Sequence, residues 1–273
     1  VDASGTARLF SRVMAIPIVP YGPQKVCLWT YFDAPPLHDR TAFFVDNRDA
    51  YLSWVWDIPI SPRQTSVGFV LPADTMRARR RAGVTVEGIL HEELGRHPRF
   101  RALLEAQSRF VVESTSFQPY VASRVCGPNW LIVGEAASMP DPLTGNGVTS
   151  GMRHARHATE AIRQATGGAI SSRERRAYAR HVFRLGHAIN AHIERAIYQR
   201  PLRHGLGLRA ATLVYTGFAF FTNALHARFN PRSPFGMAVF AVLFAAARAW
   251  VAGWIVLARA VLWWRGDALH GER

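Results

Sequence analysis

Lysine is nearly absent from this 273-residue chain: of 33 basic residues, only Lys25 is not arginine. Cysteine is almost as scarce. Cys27 and Cys126 stand far apart, with no C-x-x-C pair and no Cys/His ligand spacing, which excludes a disulfide scaffold and a zinc ribbon. No G-x-G-x-x-G turn, internal repeat or low-complexity tract occurs. The chain opens at Val1-Asp2-Ala3-Ser4-Gly5 without an initiator Met or signal sequence, so the expectation is that residues preceding it are missing. What is abundant is apolar: 49% of residues are hydrophobic and 19% charged, which excludes a disordered chain and leaves room for a sizeable core.

Acidic residues thin out along the chain. Residues 1–152 carry 15 Lys+Arg against 14 Asp+Glu, a net +1, whereas residues 153–209 carry 12 Arg against 3 Glu, a net +9. Residues 210–273 add 6 Arg against 2 acids, a net +4. Such asymmetry points to a polyanion, either nucleic acid or an anionic membrane face. Arg153, Arg156 and Arg163, and then Arg173, Arg176, Arg180 and Arg184, recur at helical spacing, as on a solvated helix face. No base-stacking aromatics or reading module lie beside them, so the expectation is no nucleic acid.

Short β-branched and aromatic runs predict strands over 26–32, 42–45, 51–58 and 65–71, the last two close enough to form a hairpin. Alternation in the third run puts Leu52, Trp54, Trp56 and Ile58 on one face, and Ser53, Val55 and Asp57 on the other. From Thr85, a candidate N-cap, Ile89, Leu90 and Leu94 recur at helical spacing, and a second short helix fits 100–106. Strands resume over 110–113, 121–125 and 130–133. After Gly147 the chain reads as helix to 199, interrupted at Gly167-Gly168.

The most informative stretch runs from Trp130 to Gly151. An apolar strand ends at Gly134, Glu135 follows at once, and a turn containing Pro140, Asp141, Pro142 and Gly145-Asn146-Gly147 leads into a helix. Glycines at a helix start let a ligand approach the backbone, where free N–H groups and the helix dipole favour negative charge. An acidic residue at a strand's carboxyl end is well placed to accept ribose or ribityl hydroxyls. Together they imply a polyhydroxylated, partly anionic cofactor; an ordinary strand–loop–helix connection is the alternative. His154 with His157, and His187 with His192, read as helix neighbours, so no metal is expected.

This string resembles the second FAD motif of flavoprotein monooxygenases, geranylgeranyl-reductase-like enzymes and flavin-dependent halogenases. In those families Gly-Asp-Ala-Ala is followed by Asp-Pro or Pro and then Gly-x-Gly at a helix start. Val1-Asp2-Ala3-Ser4-Gly5 is similar to the strand and turn closing their early FAD-binding half, and Trp54-Val55-Trp56-Asp57-Ile58-Pro59 to the Trp-x-Trp-x-Ile-Pro signature of the halogenases. The resemblance covers roughly residues 1–200. It implies FAD as cofactor, with Glu135 on the ribityl chain or nearby phosphate, Gly145, Asn146, Gly147 and Val148 offering backbone to the isoalloxazine, and Gly134, Asp141 and Pro142 also among the cofactor-binding residues. Glu135 departs from the family's Asp by one methylene. Trp54 and Trp56 are candidate substrate-lining residues, large sheet-face residues being the alternative. The halogenase lysine precedes the Asp-Ala-Ser-Gly position, so Lys25, which follows it, does not inherit that role.

The last seventy residues differ again. Residues 206–225 are apolar apart from Arg209 and a few polar groups, and the thirty residues 235–264 have only Arg248 and Arg259 as charges. As a helix the latter run would be roughly 45 Å long. Trp250, Trp254, Trp263 and Trp264 supply rings that favour a membrane interface, as a spanning hairpin, a flat anchor or a tail docked on a partner.

The resulting expectation is an α/β protein, an α+β fragment with an incomplete FAD-binding Rossmann-like half and an antiparallel substrate-domain sheet. Residues 1–12 and 120–166 would form the cofactor part, 13–119 the substrate part, 167–204 a basic helical region and 205–273 a membrane-associated tail. The implied activity is an FAD-dependent oxidoreductase or monooxygenase, with the catalytic part cytoplasmic. Its substrate would be a small aromatic or lipid-like molecule, its electron source reduced flavin or NAD(P)H. A halogenase proper and a membrane-anchored non-catalytic relative are the alternatives.

Overall fold

The computed structural model describes residues 1–36, 39–47, 52–107, 109–187, 190, 191, 194, 198 and 234–264. In chain order the elements are α1 (Leu9–Val13), β1 (Ile18–Pro20), β2 (Lys25–Phe32), β3 (Ala42–Asn47), β4 (Leu52–Ser61), β5 (Gln64–Pro72), α2 (Ala73–Arg81), α3 (Val86–Leu94) and α4 (Pro98–Ala106). They continue with β6 (Glu113–Phe117), β7 (Tyr120–Ala122), β8 (Ser138–Met139), α5 (Gly147–Arg163), α6 (Ser172–Arg180), a π-helical segment (His181–His187) and α7 (Pro234–Trp264). Helices and antiparallel sheets are mixed, as the α+β class requires. Two compact units result, one of residues Pro23–Gln118 and one of Val1–Gly22 with Pro119–Arg273.

The Pro23–Gln118 unit is a five-stranded antiparallel sheet in the order β3-β4-β5-β2-β6. Register puts Phe44, Val55, Phe69 and Leu28 in one row, on the face that packs Ile89, Leu90 and Leu94 of α3 and Phe100 and Leu104 of α4. Thr85 caps α3 as its position suggests, its hydroxyl accepting from the Gly88 N–H at 2.9 Å. Buried Asp57 accepts from Thr65 at 2.5 Å and from Arg99 of α4 at 3.2 Å. This ties a helix to the sheet through a charge that is only 2% exposed.

The opposite face carries the aromatic row Trp29, Gly68, Trp56 and Phe43, with Trp54 one pair further along. Trp56 lies 5.7 Å from Trp54 and 6.5 Å from Trp29, ring centroid to centroid, and its indole N–H donates to Ser66. Gly68 is the bare position that admits this packing: a Cβ there would collide with the Trp56 ring, the Trp29 side chain and the Leu28 carbonyl.

The other unit holds the three-stranded antiparallel sheet β1-β7-β8, with Val121, Ala122, Leu131, Ile132 and Val133 packed against Ala158 and Ala161 of α5 and Tyr178 of α6. Tyr178 donates to the Ile132 carbonyl at 2.5 Å, and burial pushes its phenol pKa up. Ser171 caps α6 by accepting from the Glu174 N–H.

Several boundaries differ from the sequence expectation. The strand expected at 110–113 runs instead over Glu113–Phe117, a hydroxyl-rich edge strand held by backbone pairing with β2 rather than by apolar alternation. The strand expected at 121–125 is Tyr120–Ala122, and that at 130–133 reduces to bridges at Leu131 and Ile132. Helix α2 was not expected, because Ala73–Arg81 has no apolar period. The break at Gly167-Gly168 is present, both residues at positive φ. Of the geometries left open for 205–273, the transmembrane helix is corrected: among the described residues no helix is long and apolar enough to cross a membrane. Arg248 and Arg259 interrupt α7, leaving 234–247, fourteen residues, as its longest uncharged run, below the roughly 20 a bilayer core needs. Residues 206–225 lie outside the described residues.

Gly68→Ala should destabilise the fold by about 1–3 kcal/mol through overpacking against the two indoles. Urea unfolding checks this, and a change within about 0.5 kcal/mol of zero, the size of a neutral surface substitution, would contradict the packing described.

Candidate functional site

Two short stretches of chain run parallel and end side by side. The Asp2 N–H donates to the Leu131 carbonyl at 2.8 Å and the Val133 N–H to the Asp2 carbonyl at 2.9 Å. Each stretch passes into a turn, Ala3–Gly5 on one side and Gly134–Ala136 on the other. The crevice beyond the carboxyl ends of parallel strands is where open α/β sheets bind ligands. The Asp2 carboxylate is spent on its own turn, accepting from the N–H groups of Ser4 at 2.9 Å and Phe10 at 3.1 Å. Burial works to raise its pKa, but these hydrogen bonds outweigh it and leave the group below the usual carboxylate value.

The second turn leaves its carboxylate available. Gly134 takes φ +61°, which glycine adopts without strain, and a 3-10 turn over Gly134–Ala136 presents Glu135 to solvent. Tyr120 donates to the Glu135 carbonyl at 2.7 Å, fixing the turn from β7. After β8 and Pro140, buried Asp141 caps a second 3-10 turn, accepting from the Leu143 N–H at 2.8 Å. Gly145 reverses the chain at φ +59°, and α5 begins at Gly147.

The mouth of α5 is bare. A Cβ on Gly145 would meet nothing within 4 Å, and one on Gly147 would meet only the Glu135 Oε1 atom, at 3.8 Å. The N–H groups of Gly147, Val148 and Thr149 have no intrahelical acceptor, while Ser150 bonds back to the Asn146 carbonyl. Val148 is exposed and Asn146 and Gly147 partly so. The arrangement pairs donors at a positive dipole end with one carboxylate acceptor beside them. It suits a neutral carbonyl edge together with hydroxyl groups better than a naked phosphate, which Glu135 would repel.

Of the sequence candidates, Gly134, Glu135, Asp141, Pro142, Gly145, Asn146, Gly147 and Val148 lie on this one turn system. Trp54 and Trp56 belong to the Pro23–Gln118 unit, on its aromatic sheet face, with Trp54 only 2% exposed. Lys25, the sole lysine, is buried with its ammonium 5.6 Å from the Phe117 ring centroid.

The roles of Arg8 and His154 escaped the sequence reading. Arg8 holds φ +48° and stacks its guanidinium 5.2 Å from the Tyr120 ring. His154, two turns into α5 and 1% exposed, hydrogen-bonds the Gly134 backbone, with the His181 ring edge-on at 5.6 Å. Burial first, and then the charge of His157, hold His154 down to about 4. Among the described residues no cluster of three or more His, Cys, Asp or Glu is arranged to hold a metal.

No protein-family model matches the chain. Individual relatives do. It is 30% identical over 178 residues to the tryptophan 2-halogenase of Chondromyces crocatus, covering 62% of this chain and 33% of that protein. It is 27% identical over 180 residues to the 1H-pyrrole-2-carbonyl-[peptidyl-carrier protein] brominase of Pseudoalteromonas luteoviolacea (strain 2ta16), covering 62% and 42% respectively. Among solved structures, the flavin-dependent brominase Bmp2 matches with a TM-score of 0.59 and 25% identity, over 72% of this chain and 50% of that one. By sequence and fold the chain is therefore a relative of the flavin-dependent halogenases, which are oxidoreductase enzymes. It spans about a third to two fifths of the length of the curated relatives it matches.

The His154 environment fixes a pH dependence. Above its ordinary value near 6.5 the imidazole is neutral folded or unfolded, and contributes no slope. Below that value only the unfolded chain takes up the proton, so stability falls as pH drops from 6.5 towards about 4 and levels off beneath. Between pH 7 and 5 the wild-type chain should lose about 2 kcal/mol more than His154→Gln, measured by urea unfolding. Equal losses in the two proteins would contradict a neutral, buried His154.

Proposed function

We propose that this chain supplies the flavin-ring side of an FAD-dependent oxidoreductase of the halogenase-like kind. The observation that carries the reading is the bare mouth of α5, where Gly145 and Gly147 leave space against the backbone and Glu135 stands 3.8 Å from where a Gly147 side chain would begin. Its donors and acceptor match the two chemistries on one side of FAD, ring carbonyls and ribityl hydroxyls. The flavin, when bound, supplies hydride and oxygen chemistry; the protein's part is to hold it and keep water out. Glu135 accepts from the ribityl hydroxyls. Gly147 and Val148 offer N–H groups to the pyrimidine carbonyls, and Asp141, rigidly bonded to its own turn, shapes the loop rather than the ligand. Gly134 at positive φ, held by Tyr120 and His154, sets where Glu135 points.

The substrate belongs to the small aromatic class, and Trp54 and Trp56 are the residues assigned to line its path. Supporting this, the matched relatives are named for tryptophan and pyrrole-2-carbonyl substrates, the latter on a carrier protein. In domain terms, residues 1–12 and 120–166 serve the cofactor and 13–119 the substrate.

A second reading, halogenation itself, is favoured by those same names. Lys25 follows the Asp2-Ala3-Ser4-Gly5 turn in sequence, so it is not assigned the halogenase lysine's role. Supplying reduced flavin, oxygen and bromide with an indole or pyrrole substrate separates the readings. Brominated product establishes the halogenase; substrate oxidation without halogen establishes the oxidoreductase alone.

Membrane association of the tail rests on α7, which exposes Phe235, Val242, Trp250, Val256, Leu257 and Trp264. An interfacial helix fits its two arginines better than a spanning one. Removing residues 205–273 should release the protein from sedimenting anionic vesicles; continued sedimentation would contradict the anchor.

Gly147→Asp puts a carboxylate beside Glu135 at the ring-facing amides. It should lower FAD affinity at least about a hundredfold, read by quenching of flavin fluorescence, since a like charge and the lost approach act together. Wild-type affinity in that variant would remove α5 from the cofactor site.

A further inference from the structure

Asn146 occupies the N-cap position of α5 yet does not cap it. Its backbone lies at φ −96° and ψ −3° rather than in the extended region a capping residue uses, and its side chain makes no cap bond. Instead its amide Nδ2 donates to the Asn190 Oδ1 atom at 2.8 Å. An asparagine that caps stabilises its helix, and this one is drawn away from that use.

Asn190 does not act alone. His187, Asn190, Glu194 and Tyr198 follow one another at intervals of three, four and four residues, the spacing of a single helical face. Each meets the loop or the strand beneath it. The His187 ring stands edge-on to Tyr21 at 4.7 Å, and Tyr198 donates to the Asp141 Oδ2 atom at 3.1 Å. Glu194 lies against Gly22 so closely that a Cβ there would collide with its carboxylate. Tyr21 in turn donates to the Met139 carbonyl at 3.0 Å. Asn190 and Glu194 are buried, at 3% and 2% exposure.

We propose that Asn190 is a positioning residue for the cofactor site: by holding the Asn146 amide it keeps the N–H groups of Val148 and Thr149 uncapped and turned to the ligand, with Tyr198 steadying Asp141 on the same loop. This rests on the reading of the α5 mouth as the flavin-ring site. It places the cofactor loop under the control of Asn190 and Tyr198, some forty to sixty residues downstream.

The test compares Asn190→Ala, which removes the acceptor, with Asn190→Asp, which keeps an oxygen at the same place. In the flavin-free full chain, loss of the acceptor releases Asn146 to cap α5. Amide exchange at Val148 and Thr149 should therefore slow by about fivefold or more in Asn190→Ala and stay at wild-type rates in Asn190→Asp. FAD affinity, read by flavin fluorescence, should fall by about tenfold in Asn190→Ala and recover in Asn190→Asp, while the urea midpoint does not drop. A merely structural contact moves the other way, with faster exchange and a lower midpoint. Unchanged or faster exchange at Val148 and Thr149 in Asn190→Ala overturns the proposal. If the wild-type chain takes up no FAD, the cofactor assignment fails by itself, and the exchange comparison still decides the role of Asn190.

Discussion

The pairing of Asp2 with Leu131 and Val133 is the constraint on which the candidate site depends. Two backbone hydrogen bonds align residues separated by almost half the chain, so that both turns start at the same level. The Asp2 carboxylate then closes the first turn onto Ser4 and Phe10, while Gly134, at positive φ, throws the second turn outward with Glu135 exposed. Helix α5 returns beneath that turn, with Gly151 close to Gly134 and His154 bonded to the Gly134 backbone. The same pairing sets the level at which Glu135 stands beside the start of α5.

On the proposed reading, the electrostatics at the start of α5 would select the ligand. A helix start alone attracts anions, and the free N–H groups of α5 are ordinary in that respect. Glu135 changes the outcome. A carboxylate beside the same amides offsets their positive potential, so the favoured occupant brings carbonyl oxygens to the amides and hydroxyl protons to the carboxylate. The flavin end of FAD presents both groups, the pyrophosphate end neither. The proposed role of this turn agrees with the cofactor that the relationship to flavin-dependent halogenases implies.

The glycine- and proline-marked turn from Gly134 to Gly147 was legible in the sequence because its string combines residue types that ordinary loops use sparingly and in no fixed order. The central strands β2 to β5 were legible too, since apolar and aromatic alternation reports a pleat. What the sequence hid was built from backbone and from distant pairing. Glu113–Phe117 joins the sheet as a serine- and threonine-rich edge, and Ala73–Arg81 forms a helix from arginines paired with Asp74, Glu92 and Glu93. Arg8 and His154 reveal their roles only when the chain brings them to Tyr120 and Gly134. Asn190 and Tyr198 carried a periodic signal, four and eight residues apart along a face with Glu194, but polar residues at that spacing on a basic helix read as solvated until their partners are known. The tail was less legible: its composition left a membrane span open, and among the described residues no helix is long and apolar enough to cross a membrane.

The central claim is that the turn between Gly134 and Val148 holds the flavin ring and the ribityl chain of FAD. A crystal structure determined with FAD tests it most directly. The account predicts the pyrimidine edge of the ring against the backbone of Gly145 to Val148, with ribityl hydroxyls at Glu135. Cofactor density elsewhere on the chain, or a Glu135 side chain directed away from a bound flavin, would contradict it.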